Sequence, residues 1–310
     1  MSTIIVTGAA GFIGSHTCDE LLAAGHAVVG VDNFRTGRIE NLENARKHPA
    51  FRLIEADVAE RESLDEIAGD VRPAALIHLA ALVSVQESIR DPELNFRLNV
   101  LATHLVAEAA RRHQIGRIVF ASSAAVYGDG GPGAIEEDHA LHPISPYGSA
   151  KVASEALLGG SAAAFGSIVR CQRYFNVYGP RQDPHSPYSG VISRFVAKLM
   201  AGEAPTIFGD GAQTRDFVHV GDVARANVLA ATLPGIFSGS SNICTGVPTT
   251  INDLAKALGT LVPHAPLPTY APSVRGDIRY SLGNPQAAAR DLGFVHRLGL
   301  TEGLASLLED

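Results

Sequence analysis

An open α/β fold built on a doubly wound parallel sheet is predicted by two features of the sequence. Short β-branched and apolar runs alternate with longer helical patterns, and the first such run leads straight into a glycine-rich turn that opens a helix. Alternation at this spacing makes right-handed βαβ units, whose strands are covered on both faces and therefore read as continuous apolar runs.

Taken in order, strands are expected at Thr3–Thr7 (TIIVT), Ala27–Val31 (AVVGV), Phe51–Ala56, Ala75–Leu79 (ALIHL), Arg117–Ala121 (RIVFA) and Ser167–Arg173 (SIVRCQR). Helical patterns fill the gaps at Phe12–Ala24, Ser63–Ala68, Asn95–His113 and Pro146–Ala164. After about Tyr174 the rhythm breaks: Gly and Pro rise and strands become short. The expected division is a Rossmann-type region of residues 1–175 plus about 217–233, and a smaller mixed α/β C-terminal region of 176–216 and 234–310. The segment near Phe217–Thr232 is expected to return to the main sheet.

The chain has 310 residues, 46% hydrophobic and 18% charged, which excludes a collagen, a coiled coil or a disordered tail. A net charge of −7 offers no basic field for nucleic acid or anionic lipid. No apolar run is long enough for a membrane span, and Met1-Ser2-Thr3 enters a strand without a basic n-region. Cys18, Cys171 and Cys244 show neither disulfide nor zinc spacing, so a cytoplasmic location is expected. Twelve histidines show no metal spacing; His139 and His142 lack a third ligand nearby.

The first strand runs into Thr7-Gly8-Ala9-Ala10-Gly11-Phe12-Ile13-Gly14. Glycines there let backbone approach a pyrophosphate, whose charge sits on the helix N-terminus. Asp32 ends the second strand, 18 residues after Gly14, where a carboxylate accepts ribose hydroxyls and repels a 2′-phosphate. That favours NAD over NADP, with nearby Arg35 as the opposing signal. Tyr147 and Lys151 stand at i and i+4 on one helix face, and an ammonium there favours the phenolate of a general base. With seven tyrosines and four lysines, chance supplies about 0.1 such pairs. Ser122-Ser123 follows an apolar strand, at the end where open sheets place ligands. A strand-end serine is also a common helix cap or turn residue.

Together these segments resemble the extended short-chain dehydrogenase/reductase family, and within it the nucleotide-sugar epimerases, over essentially the whole chain. The resemblance implies a cofactor site of Gly8, Gly11, Phe12, Ile13, Gly14, Asp32, Asn33, Asp57, Val58, Leu79, Ala80, Ala81, Asn99, Tyr147, Lys151 and Tyr174. It implies a catalytic triad of Ser123, Tyr147 and Lys151, with Tyr147 taking a proton from a sugar hydroxyl while NAD takes the hydride. Where related dehydratases carry an Asp-Glu pair after the catalytic hydroxyl, this chain has Ala124-Ala125, which favours epimerisation. Arg173–Pro184 resembles the 4-epimerase signature. A UDP-sugar would be met by Ser123, Tyr147, Asn176, Val191, Phe195, Thr206, Phe208, Arg215, Arg275, Asp277 and Ser281. Arginine suits diphosphate because its fork donates two hydrogen bonds at once.

Two departures stand out. Val83 replaces a cofactor-binding lysine found in some members, and Ser281 stands where members restricted to small hexoses carry tyrosine. A serine leaves room for an N-acetyl group at carbon 2. The expected activity is C4 epimerisation of a UDP-hexose, UDP-glucose/UDP-galactose first, with UDP-N-acetylglucosamine and UDP-glucuronate as alternatives. A reductase or synthase on the same scaffold would turn over NADH stoichiometrically, and a non-catalytic NAD-binding sensor would tend to lose Tyr147 or Lys151. Helices 95–113 and 146–164 have apolar outer faces, and in the family it resembles such faces pair across a two-fold axis, so the resemblance implies a homodimer, unless those faces cover the chain's own sheet.

Overall fold

The computed structural model describes residues 2–183, 190–273 and 278–308. Its strands are β1 (Thr3–Thr7), β2 (Ala27–Asp32), β3 (Phe51–Glu55), β4 (Ala75–His78), β5 (Arg117–Ser123), β6 (Ile168–Tyr174), β7 (Asn176–Tyr178), β8 (Thr206–Phe208), β9 (Thr214–His219), β10 (Gly239–Ile243), β11 (Pro248–Thr250) and β12 (Thr269–Ala271). Its helices are α1 (Phe12–Ala23), α2 (Glu43–Arg46), α3 (Ser63–Val71), α4 (Val85–Arg90), α5 (Pro92–Asn95), α6 (Ala102–Arg112), α7 (Pro146–Phe165), α8 (Val191–Met200), α9 (Val220–Thr232), α10 (Ile251–Leu261), α11 (Gln286–Leu292) and α12 (Leu300–Ala305).

Seven parallel strands form the main sheet in the order β10-β6-β5-β4-β1-β2-β3. The period of two sends Ile4 and Val6 into one core, with α1 and α9, and Ile5 into the other, with α3, α6 and α7. Strand order reverses between β1 and β4, which opens a crevice at their carboxyl ends. A third core, around Tyr178, Ile192, Phe195, Phe217 and Leu254, holds the C-terminal region together. Among the described residues, no helix is long and apolar enough to cross a membrane.

Two boundaries differ from the sequence reading. The seventh strand, β10, lies inside the 234–310 segment assigned to the second region. Gly-Ser-Ser-Asn-Ile has no apolar run to betray it; its buried Ser241 and Asn242 are satisfied by Arg170 and by Tyr127 and Ile135 instead. Within the 217–233 segment only helix α9 packs on the main sheet, mainly against α1. The strand before it, β9, pairs with β7 and β11 in a separate three-stranded sheet. The predicted helix Asn95–His113 is also broken into α5, a wide π-helical turn at Phe96–Leu101, and α6.

Asp216 on β9 fixes the second region to the main sheet. It is fully buried and accepts hydrogen bonds from Thr245 N (2.8 Å), Thr245 Oγ1 (2.7 Å), Gly246 N (2.9 Å) and Gly283 N (3.3 Å). Asp216→Asn turns an amide NH2 towards two of those donors, each bond to the charged oxygen being worth about 1.5–3 kcal/mol. The expected result is a loss of about 3 kcal/mol in urea unfolding, with the far-UV spectrum retained below the transition.

Candidate active site

One face of α7 docks on the last three residues of β5. The helix starts sharply because Ser145 caps Gly148 N and Pro146 occupies its first turn. Its start is pinned from outside as well: Tyr147 N donates to Ser88 Oγ at 3.1 Å, and Asn95 Nδ2 to Pro146 O at 3.1 Å. A Cβ on Gly148 would lie 2.6 Å from Ala125 O, so a side chain there would hold the helix off the β5 turn. Three residues one turn apart then meet the strand: Tyr147 hydrogen-bonds Ser123, Lys151 Nζ donates to Ala121 O at 2.7 Å, and Ser122 Oγ donates to Glu155 Oε1 at 2.5 Å.

The predicted triad is thus brought together, with one correction to its electrostatics. Burial pushes the Tyr147 phenol above its ordinary value, opposed by the Ser123 hydrogen bond. The expected lowering by Lys151 does not prevail, although its ammonium lies 5.8 Å from the Tyr147 ring centroid. Lys151 is itself 3% exposed and pushed down to about 8 by burial, against the charge of Glu155, which raises it. Ala124 and Ala125 follow Ser123 in a single 3-10 turn and bring no acid or base to the site.

The glycine turn fits a dinucleotide. Gly8 has φ +70°, and a Cβ there would meet Ala80 N at 2.7 Å, so the turn packs directly on the chain leaving β4. A Cβ on Gly14 would lie 1.9 Å from Gly8 O. Gly11 caps α1 without a side chain, leaving the N–H groups of the first turn, including Phe12 and Ile13, facing the crevice. Thr7 Oγ1 ties Leu79 N (3.2 Å) and Ala80 N (3.3 Å) beside the turn, with Ala81 next along the same loop. Asp32 accepts from Ala10 N (2.9 Å) and Phe34 N (2.8 Å), which leaves lone pairs on both oxygens for ribose. Gly37, unmarked in the sequence, is the floor of that pocket: a Cβ would sit 2.8 Å from Asp32 Oδ1. Arg35, the opposing signal, is paired with Glu87 at 2.5 Å. Asn33 forms a local turn with Arg35 N, Asp57 caps Ala59 N (2.8 Å), and Val58 is buried beside it.

Several of the expected contact residues have partners within the chain. Asn99 lies on the π-helical turn; its side chain accepts from Leu82 N and donates to Leu82 O and Asn95 Oδ1, which fixes the loop after β4. The Tyr174 hydroxyl donates to Asn227 Oδ1 at 2.6 Å, and its oxygen keeps the capacity to accept from an amide N–H. Phe195 is buried in the C-terminal core with Val191 packed against it. Thr206 is held by Lys198, whereas Phe208 keeps an exposed ring. Arg215 donates to Ile278 O at 2.7 Å, and Asn176 opens β7 with a partly exposed side chain. Ser281 precedes Leu282, whose carbonyl accepts from Ile135 N, so it lies against the loop that follows β5. Arg275, Asp277 and Pro184 lie outside the described residues.

Sequence reasoning missed Glu155 and the guanidinium of Arg173 that grips it through two bonds, Nε to Oε1 at 3.0 Å and Nη2 to Oε2 at 2.7 Å. The signal was there: Glu155 stands eight residues after Tyr147, on the same helix face.

Adding a methyl group at Gly14 forces the turn apart. Overpacking of this kind costs about 1–3 kcal/mol. Gly14→Ala is therefore expected to weaken NAD binding by about one to two orders of magnitude in calorimetric titration.

Comparison with known proteins agrees with this geometry. The chain is 39% identical over 306 residues to a UDP-glucose 4-epimerase of Mycolicibacterium smegmatis, covering 98% of this chain and 97% of that one. It superposes on a UDP-glucose 4-epimerase with UDP-glucose from Thermotoga maritima with a TM-score of 0.93 at 36% identity, covering 99% of this chain and 97% of that one. It superposes on a UDP-N-acetylglucosamine 4-epimerase of Methanobrevibacter ruminantium in complex with UDP-N-acetylmuramic acid with a TM-score of 0.94 at 33% identity, with the same coverage. A family model matches residues 4–239, and the chain belongs to the NAD dependent epimerase/dehydratase family.

Proposed function

We propose that the chain is an NAD-dependent epimerase that inverts carbon 4 of a UDP-hexose through a transient 4-keto sugar, with UDP-glucose and UDP-galactose as the substrate pair. The observation that carries this reading is the joint placement of Tyr147, Ser123 and Lys151 beside a turn whose next two residues, Ala124 and Ala125, carry no proton. The chemistry that NAD supplies when bound is a cationic nicotinamide that takes a hydride from carbon 4 and gives it back to the other face.

Tyr147 accepts the proton of the 4-hydroxyl and later returns it to the keto oxygen. Ser123 Oγ holds that oxygen in line. Lys151 supplies the positive charge that offsets the phenolate. Elimination of water would need an acid and a base where Ala124 and Ala125 stand. Asn176 and Phe208, with Arg215, Arg275 and Asp277, are proposed to hold the UDP moiety. A second reading, UDP-N-acetylglucosamine, is favoured by the small Ser281 in place of a bulky side chain.

Proton NMR of the purified protein with UDP-glucose, UDP-N-acetylglucosamine and UDP-glucuronate tests the proposal. One sugar is expected to equilibrate with its C4 epimer without NADH absorbance building up at 340 nm. Tyr147→Phe is expected to lower kcat by at least about a hundredfold, the usual contribution of a general base, with NAD still bound. Stoichiometric NADH, or full activity in that variant, overturns it.

We also infer a cytoplasmic homodimer. The three cysteines are buried free thiols, which suits a reducing compartment. Ala102, Val106, Ala109 and Ala110 of α6 are buried in the core on the chain's own sheet, and its outward residues include His104, Arg111 and Arg112. The outward face of α7 is instead small and apolar, with exposed Ala153, Ala156, Gly160 and Ala163, and Phe96 is 58% exposed. Sedimentation is expected to give a dimer for the wild type and a monomer for Ala156→Glu; an unchanged coefficient places the interface elsewhere.

A further inference from the structure

The buried carboxylate of Glu155 stands on α7, which carries Tyr147 and Lys151, and bonds to β5, which carries Ser123, and the proposed mechanism leaves it without a part. Glu155 and its partner Ser122 are each one position or one helical turn from a functional side chain. Ser122 on β5 precedes Ser123, Glu155 itself follows Lys151 by one turn of α7, and Arg173 on β6 grips the same carboxylate from the neighbouring strand. The side chains of Glu155 and Arg173 are 9% and 6% exposed. Arg173 Nη1 donates onward to Tyr127 Oη (2.8 Å) and Glu137 O (2.8 Å), and Tyr127 to Asn242 Oδ1 (2.7 Å). The network therefore runs from α7 through β5 and β6 to β10.

We propose that Glu155 is a positioning residue: its carboxylate sets the register of α7 on β5 and provides the negative charge that keeps the buried Lys151 ammonium protonated for catalysis. The inference rests on the reading of Lys151 as an active residue. A buried ammonium with one carbonyl partner is strongly disfavoured unless an opposite charge lies near. The groups around Lys151 are Ala121 O and the Phe120 ring on β5, Tyr147 and Glu155 on its own helix, Cys171 on β6 and the neutral His78 on β4. Of these, Glu155 is the charged acid. The groups around Glu155 are Ser122, Arg173, Tyr127, Cys171 and Lys151. Burial alone would drive Lys151 below its value of about 8, and Glu155 opposes that fall.

The test is direct because the chain has four lysines. Protein labelled at lysine 13Cε reports the Lys151 titration without any need for turnover, and kcat is followed against pH in parallel. Glu155→Gln removes the charge and keeps the shape. The pair variant Glu155→Gln with Arg173→Met also removes the guanidinium that the single change would leave unpaired. The Lys151 midpoint is expected to fall by about one pH unit or more in Glu155→Gln, the usual effect of losing one near opposite charge, and to fall by less in the pair variant, which also removes a positive charge. The alkaline limb of kcat should move with it while KM for the sugar nucleotide stays within about twofold. A midpoint that stays in place overturns the counter-charge, since a purely structural network would change the melting temperature and the folded fraction only. Ser122→Ala keeps the ion pair, and hence the fold, and reads the tether. A fall in kcat of about fivefold or more at unchanged KM supports the tether, and unchanged kcat overturns it. A shifted Lys151 titration with an unshifted limb would instead refute the mechanistic role given to Lys151, which separates the two failures.

Discussion

The active site depends on seating one buried cation at the carboxyl end of a parallel strand. Lys151 is 3% exposed, and its ammonium is held by the Ala121 carbonyl while lying 4.8 Å from the Phe120 ring centroid. Such a charge is tolerable only when its position is overdetermined. The overdetermination comes from the residues a turn away on either side, Tyr147 on Ser123 and Glu155 on Ser122, so that α7 cannot slide along β5 without breaking all three contacts at once. The close approach at Gly148 and the external pins from Ser88 and Asn95 follow from the same requirement.

Cofactor choice follows from where the positive charges near Asp32 are directed. In the order β4-β1-β2, the loops leaving β2 and β4 flank the glycine turn, and the Arg35–Glu87 pair joins them. Arg38 is paired with Asp183 across the same side. Both cations that could have welcomed a 2′-phosphate already have a carboxylate, and the two Asp32 oxygens receive only neutral backbone N–H groups. The carboxylate therefore keeps its repulsion for phosphate and its capacity to accept ribose hydroxyls. The structure thus answers on the side of NAD the question that Arg35 raised in the sequence.

What was legible in the sequence was whatever rested on backbone and periodicity. The six apolar strands, the glycine turn, Asp32 and the i, i+4 pair on α7 needed no knowledge of partners, because each is dictated by a local rule. The seventh strand was not legible because Gly239–Ile243 carries Ser and Asn in the core, satisfied by Arg170, Tyr127 and Ile135 from distant segments. Asn99 and Tyr174 were assigned to the cofactor on resemblance; the protein partners each also has, Leu82 and Asn227, were not legible because they lie 17 and 53 residues away. Glu155 was overlooked for the opposite reason: an acid on a helix reads as solvent-facing until Arg173, eighteen residues on, folds over it.

The segment Pro180–Asp183 shows how the C-terminal region and the cofactor helix act together. His16 on α1, pushed down to about 4 by burial and so neutral, donates Nε2–H to Pro180 O at 3.0 Å. Arg181, held at φ +65°, pairs with Asp19 on the next turn of α1 at 2.7 Å, and Asp183 reaches Arg38 beyond β2. Exposed pairs of the Arg38 kind contribute roughly 0–1 kcal/mol each. Their value lies in number and direction, since all three contacts cross from the C-terminal region to the elements that present the glycine turn and Asp32. An enzyme whose cofactor must survive each cycle unchanged, while the sugar turns over beside it, requires a floor that stays still. The contacts from the chain that leaves β7 tie that floor to the region that carries Asn176 and Arg215.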